Sequence, residues 1–167
     1  ISADVFSPLM GHLDRSSRIG LCCPRFLSED GTLQPLNRLY PTMLDLFLRR
    51  FAPRRLRALA RKRLRAYDMQ DVGYAHSYDV PFVSGAFMVC RTAVLKAVGG
   101  FDERYFLYFE DADLSRKVQA HGYRTVYFPD VSVTHAWERM AHKNWHGTWL
   151  FMKSAYQYFR KWGFKWW

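Results

Sequence analysis

Apolar positions recur along this chain at two different periods, and their alternation predicts a layered α/β domain. Val5, Leu9 and Leu13 stand at i, i+4 and i+8, so residues 5–15 are predicted as a short amphipathic helix. Arg18 to Cys23 carries a short apolar run and is predicted as a buried strand. Glu29-Asp30-Gly31 is a turn signal between Phe26-Leu27 and Thr32-Leu33, which predicts a small hairpin. Pro41 opens a helical stretch through Leu48. Leu56, Leu59, Ala60 and Leu64 then recur at helical spacing, as one helix or a pair broken near Pro53.

The second half continues the alternation. Asp79 to Arg91 reads as strand, with a break at Ser84-Gly85. Thr92 is expected to cap a short helix from Ala93 to Val98 that stops at Gly99-Gly100. Phe101 to Phe109 is an aromatic loop. A helix is predicted from Glu110 to about His121, with Leu114 and Val118 inward and Gly122 as its stop. Arg124 to Phe128 and Val131 to His135 read as two strands around a Pro129-Asp130 turn. A long aromatic and basic helix is predicted from about Ala141 to Lys161. No internal repeat interrupts the order.

Composition narrows the class. With 49% hydrophobic residues in 167, the chain has enough apolar mass for a core, which excludes a disordered chain. Lys and Arg number 25 against 15 Asp and Glu, a net charge of +10 that suggests an anionic partner. Nine basic residues fall between Arg49 and Arg65. Such a run is a solvated helix face, an interfacial helix on anionic lipid, or a nucleic-acid contact. Three cysteines, two of them the adjacent Cys22 and Cys23, form no disulfide framework and suggest a reducing compartment. No apolar run reaches the roughly 18 residues of a bilayer span, and no signal peptide opens the chain. The first residue is Ile1, in what reads as a strand end, so the chain is expected to be part of a longer protein.

The chemistry concentrates at Glu110-Asp111-Ala112-Asp113, three carboxylates in four residues. Acidic residues there satisfy the free N–H groups of a helix start and its dipole. They also suit a general base, because crowded carboxylates raise one another's pKa while the helix terminus opposes that. His135 ends a strand, where an α/β sheet opens its ligand crevice, and a neutral imidazole there suits a divalent metal. His142 and His146 lack the HExxH pattern and read as surface residues. Phosphate-loop, GxGxxG, paired CxxC and GxSxG patterns are absent.

Several pieces come in an order that resembles the second half of a family 2 glycosyltransferase, of the rhamnosyltransferase and galactofuranosyltransferase-like group. They are Ser84-Gly-Ala-Phe-Met88, Arg91, Val98-Gly-Gly-Phe-Asp-Glu103, Phe106-Leu-Tyr-Phe-Glu-Asp111, Asp113-Leu114, Gly122-Tyr-Arg124 and Val133-Thr-His135. Ile19-Gly20, Pro24-Arg25, Asp30-Gly31 and Leu33-Gln34-Pro35 fit the same group. The resemblance implies a partial GT-A fold without its N-terminal nucleotide-binding half. Residues 1–140 would be the acceptor-side part, with a basic helical insertion at about 41–70, and 141–167 a C-terminal aromatic-basic helix. It implies an inverting transfer from a nucleotide-diphosphate sugar, with this piece alone inactive. Asp111 would be the general base and Glu110 its neighbour in the acceptor pocket. Gly85, Ala86 and Asp113 would bind substrate. Asp4 and His135 would hold a divalent metal, Mn²⁺ or Mg²⁺, with Ser2 standing where the family usually has Asp or Asn. The expected acceptor is a glycan or a polyprenyl-diphosphate-linked sugar in cell-surface polysaccharide synthesis, met at the cytoplasmic face of an anionic membrane. No nucleic acid is expected as a partner. The competing expectation is a non-catalytic basic module that binds anionic membrane or nucleic acid.

Overall fold

The computed structural model describes residues 4–136 and 145–167. Helix α1 (Phe6–Asp14) is the predicted amphipathic helix: Leu9 and Leu13 are buried, and Ser7 N–H donates to Asp4 Oδ1 at 3.0 Å. Strand β1 (Ile19–Leu27) follows, buried along nearly its whole length. It is covered on both faces, which is why the run has no polar alternation. The 29–31 turn forms as expected, but the hairpin is a single bridge between Leu27 and Leu33. Asp30 Oδ1 accepts from Thr32 N–H, and Gly31 takes a positive φ.

Helix α2 (Met43–Arg50) starts behind Thr42, whose Oγ1 accepts from Asp45 N–H at 3.2 Å. The basic segment breaks after α2 as Pro53 requires, into α3 (Arg54–Leu59) and α4 (Arg61–Tyr67). Within 79–91 only two short strands form, β2 (Tyr78–Asp79) and β3 (Val89–Cys90). The expected longer strand is absent because side chains of a later helix take up the intervening backbone groups. Helix α5 (Thr92–Ala97) begins at Thr92 itself, and no side chain caps it. Its neighbour Arg91 reaches back instead, donating to the carbonyls of Ile19 and Ser16 at 2.9 and 3.2 Å and to that of Leu13.

Helix α6 (Glu110–Ala120) and strand β4 (Arg124–Thr134) complete the layer. The four strands lie in the order β2-β4-β1-β3. β1 and β4 are parallel, and the two short strands are antiparallel to them. The two strands expected around Pro129-Asp130 are one strand. Its pairing with β1 runs from Ile19↔Arg124 to Cys23↔Tyr127, then resumes at Arg25↔Ser132. Pro24 and Pro129 both fall in the interruption, where their missing N–H groups cost no ladder bond. Gly20 is needed where β1 meets the helices. A Cβ there would lie 2.8 Å from Tyr123 Cβ, 3.0 Å from Val118 and 3.1 Å from Val94.

Helix α7 (Trp145–Trp162) falls within the predicted C-terminal helix, whose first residues, 141–144, lie outside the described residues. Two apolar cores result. The larger packs α1, α5 and α6 on the sheet through Leu9, Val94, Leu114 and Val118. The smaller joins Phe82, Tyr105, Phe109 and Ala112 to Ala155, Tyr158 and Phe159 of α7. The chain beyond α7 turns back onto α2, where Met43 N–H and Leu44 N–H donate to the carbonyls of Lys165 and Trp166. That contact satisfies donors that a first helical turn leaves unpaired.

Candidate active site

The segment at 80–86 is pinned to α6 by side chains rather than by a ladder. Ser115 Oγ accepts from Val83 N–H at 3.1 Å, and Gln119 Nε2 donates to the Pro81 carbonyl at 2.8 Å. One turn nearer the helix start, Asp111 Oδ2 accepts from Gly85 N–H at 3.0 Å. Its other oxygen accepts from Ala112 N–H at 2.8 Å. Two backbone donors thus fix one carboxylate at a helix N-terminus. Gly85 lies close over the acidic pair: a Cβ there would sit 3.5 Å from Asp111 Cβ and 3.8 Å from Glu110 Oε1.

The chain enters α6 through two successive left-handed residues, Tyr108 and Phe109, both at φ 70°. For L-residues this conformation costs about 1–2 kcal/mol each. Helix α7 offsets that cost. Phe109 is buried with its ring centroid 5.3 Å from those of Phe151 and Tyr158. Ser154 Oγ donates to the Leu107 carbonyl at 2.7 Å. The strained turn aims Glu110 and Asp111 into a cavity of about 650 Å³ that Ser84, Gly85, Ala86 and His135 also line.

Burial and the neighbouring Asp111 charge push the Glu110 carboxyl up to about 7. Its Oε2 is buried without a hydrogen-bond partner among the described residues. Burial also raises Asp111, while the N–H groups of Gly85 and Ala112 pull it back. The two backbone donors favour the ionised form of Asp111, which suits it to accept a proton from a hydroxyl.

His135 sits just past β4, tied by its N–H to the Leu27 carbonyl at 2.9 Å. Gln34 donates through Nε2 to the His135 carbonyl and to Ser28 Oγ, so its Oε1 faces His135 Nδ1 at 3.1 Å. In the neutral ring this places the proton on Nδ1 and leaves Nε2 a lone pair fit to ligate a metal. Asp4 is placed elsewhere: it is exposed, caps α1 and does not line the cavity. Among the described residues no three His, Cys, Asp or Glu side chains cluster for a metal ion. His135 thus fits a metal as one ligand, and Asp4 is not brought to it.

Asp113, expected to bind substrate, points the other way. It is fully buried, and Lys161 Nζ and Trp162 Nε1 donate to it at 2.7 Å each. Lys161 also bonds Asp102, whose carboxyl the neighbouring Arg104 and Lys161 hold well below the usual range. Asp113 therefore fastens α6 to α7. Residue spacing could not separate it from Asp111, and α7 was not legible as the partner. Of the predicted surface histidines, His146 is exposed and His142 lies outside the described residues.

Residues 18–160 match the family described as glycosyltransferase like family 2. The chain belongs to this family. Its mixed open sheet flanked by helices is a partial GT-A fold. The chain is 30% identical over 131 residues to an N-acetylglucosaminyl-diphospho-decaprenol L-rhamnosyltransferase of Mycobacterium tuberculosis. That match covers 76% of this chain and 40% of that protein. A rhamnosyltransferase of Escherichia coli, WbbL, is 38% identical over 56 residues, which is 34% of this chain and 21% of that protein. The matches thus span 40% or less of the length of these relatives. Among the described residues of this family 2 chain, no helix is long and apolar enough to cross a membrane.

Proposed function

We propose that the chain is the acceptor-side portion of an inverting glycosyltransferase that acts in cell-surface polysaccharide synthesis. The observation that carries this reading is the Glu110–Asp111 pair, held open to the cavity by Gly85 and Ala112 N–H groups. Asp111 takes the proton of the acceptor hydroxyl as its oxygen attacks the anomeric carbon of a nucleotide-diphosphate sugar. The new C–O bond forms on the face opposite the breaking bond to the diphosphate, so configuration inverts. Fixing the base beside the hydroxyl removes orientational freedom from that step. Glu110, titrating near neutrality, shares the pocket, and Gly85 and Ala86 leave room above the carboxylates. His135 Nε2 would supply one ligand to a divalent ion, which when bound acts as a Lewis acid on the leaving diphosphate.

The acceptor is a polyprenyl-diphosphate-linked glycan, as the mycobacterial relative's name suggests, presented at the cytoplasmic face of an anionic membrane. Leu44, Phe47 and Phe51 form an exposed stripe on and just beyond α2 at i, i+3 and i+7. The adjoining α3 buries none of its residues and carries Arg54, Arg55 and Arg57. Trp166 and Trp167, exposed beside the α2 start, suit the headgroup level.

The test is Asp111→Asn in the protein extended to full length. Turnover is expected to fall by about 10²–10⁴ with donor binding retained, as for loss of a general base. Near-normal turnover would remove Asp111 as the base, whereas a full-length protein with no transfer activity of its own would return the chain to the alternative, a basic module whose ligands ignore Asp111.

A further inference from the structure

We propose that the arginines across the cavity from Asp111 bind the diphosphate of the lipid-linked acceptor, and so set which hydroxyl reaches the base. This rests on the acceptor class proposed above and adds the residues that read it. Arg38, Arg49, Arg50 and Arg57 line the same cavity as Glu110 and Asp111. Asp68 partly neutralises two of them, Arg49 at 2.6 Å and Arg38 at 3.4 Å. Arg38 Nε is the atom that faces Asp68, and it is buried and completes no hydrogen bond among the described residues. Arg50 is packed against the Phe151 ring, its Cζ 4.8 Å from the centroid, and donates to Thr148 Oγ1. Arg57, on α3, is exposed and makes no ion pair among the described residues.

One cavity thus carries both signs of charge. The Glu110 and Asp111 carboxylates come from α6, and the Arg49, Arg50 and Arg57 guanidiniums come from α2 and α3. Guanidinium forks match phosphate oxygens, whereas a neutral glycan has no use for them. A lipid-linked acceptor has the same order of chemistry: a hydroxyl-bearing sugar, then a diphosphate, then an apolar chain. Arg49 and Arg50 lie on α2 between Phe47 and Phe51, whose exposed rings continue that order toward an apolar chain. A donor nucleotide also carries a diphosphate, but it has no apolar chain for those rings.

The test is equilibrium binding of three probes to this chain: farnesyl diphosphate, farnesol and thymidine diphosphate. Arg57→Gln is expected to weaken farnesyl diphosphate about tenfold, and Arg50→Gln with Arg57→Gln about a hundredfold. Arg61→Gln, outside the cavity, should leave it unchanged, and so rules out a general charge effect. Asp111→Asn should bind farnesyl diphosphate at least as tightly as the unaltered chain. Farnesol should bind weakly and without regard to the arginines. Two results overturn the proposal: unchanged farnesyl diphosphate binding in the folded Arg57→Gln chain, or thymidine diphosphate showing the same arginine dependence and competing for the site. In either case Asp111→Asn turnover still tests the glycosyltransferase reading by itself, because binding of these probes does not require a base.

Discussion

Asp111 and Asp113 stand two residues apart on α6 and lead opposite lives. Asp111 is held by two backbone N–H groups and opens to a cavity. Asp113 is closed off from water and held by Lys161 and Trp162. The cavity face keeps a carboxylate pair that no Lys or Arg among the described residues neutralises by contact. The α7 face keeps a carboxylate fully neutralised and bonded. The difference shows how one short helix serves two ends: its buried Asp113–Lys161 pair holds α6 to α7, and the Tyr108-Phe109 turn presents Glu110 and Asp111 to the cavity. Position on the helix face, rather than residue type, decides the role.

The largest effect expected from breaking the comparison is structural. Asp113→Ala leaves Lys161 facing a buried void beside Asp102, and loss of one partner from such a pair costs about 3–5 kcal/mol. Chemical denaturation should show the drop, with α7 the first element to lose hydrogen-exchange protection.

A smaller and opposite effect is expected on the cavity face. The Glu110 carboxyl is pushed up to about 7, so folding favours its protonated form. That contribution is fully present below pH 4.5 and is lost as pH rises through about 7. Glu110→Gln should therefore stabilise the chain at pH 8 by on the order of 1–2 kcal/mol, and leave it unchanged near pH 4. In the proposed full-length glycosyltransferase, Glu110 is already protonated where Asp111 titrates, so the same substitution should leave the acid limb of the pH–rate profile in place and remove any inflection near pH 7 while turnover persists. A loss of turnover as deep as that of Asp111→Asn would transfer the role of base to Glu110.

The smallest effect concerns the link between the faces. Ser154→Ala removes the bond to the Leu107 carbonyl and should cost about 1 kcal/mol. Turnover per folded molecule should fall a few-fold, because the turn before Glu110 loosens. Unchanged turnover would mean that Phe109 packing alone sets the turn.

Much of this was legible from residue order. Apolar spacing located α1, β1 and α6, and the motif order located the Glu110–Asp111 pair with Gly85, Ala86 and His135 beside it. Three features were not legible, each for a physical reason. The backbone at 80–86 has strand-like composition, but Ser115, Gln119 and Asp111 side chains replace a neighbouring strand as its partners. Pro24 and Pro129 lie far apart in the chain, so one interrupted strand looked like two. The aromatic and basic composition of residues 141–167 names no partner for that helix, whereas Tyr158 and Phe159 fill the second core and Trp162 bonds Asp113. Asp4, placed with a metal by motif position, is satisfied locally at the start of α1.

The claim that the two faces of α6 divide chemistry from anchoring is tested most directly by one paired measurement on the full-length enzyme. Turnover per folded molecule and unfolding free energy would be measured for Asp111→Asn and Asp113→Asn side by side. The expected result is a crossed pattern. Asp111→Asn should lose about 10²–10⁴ in turnover and hold its stability within about 1 kcal/mol. Asp113→Asn should lose several times more stability and keep most of its turnover per folded molecule. Equal losses of turnover in both, or near-normal turnover in Asp111→Asn, would contradict the account.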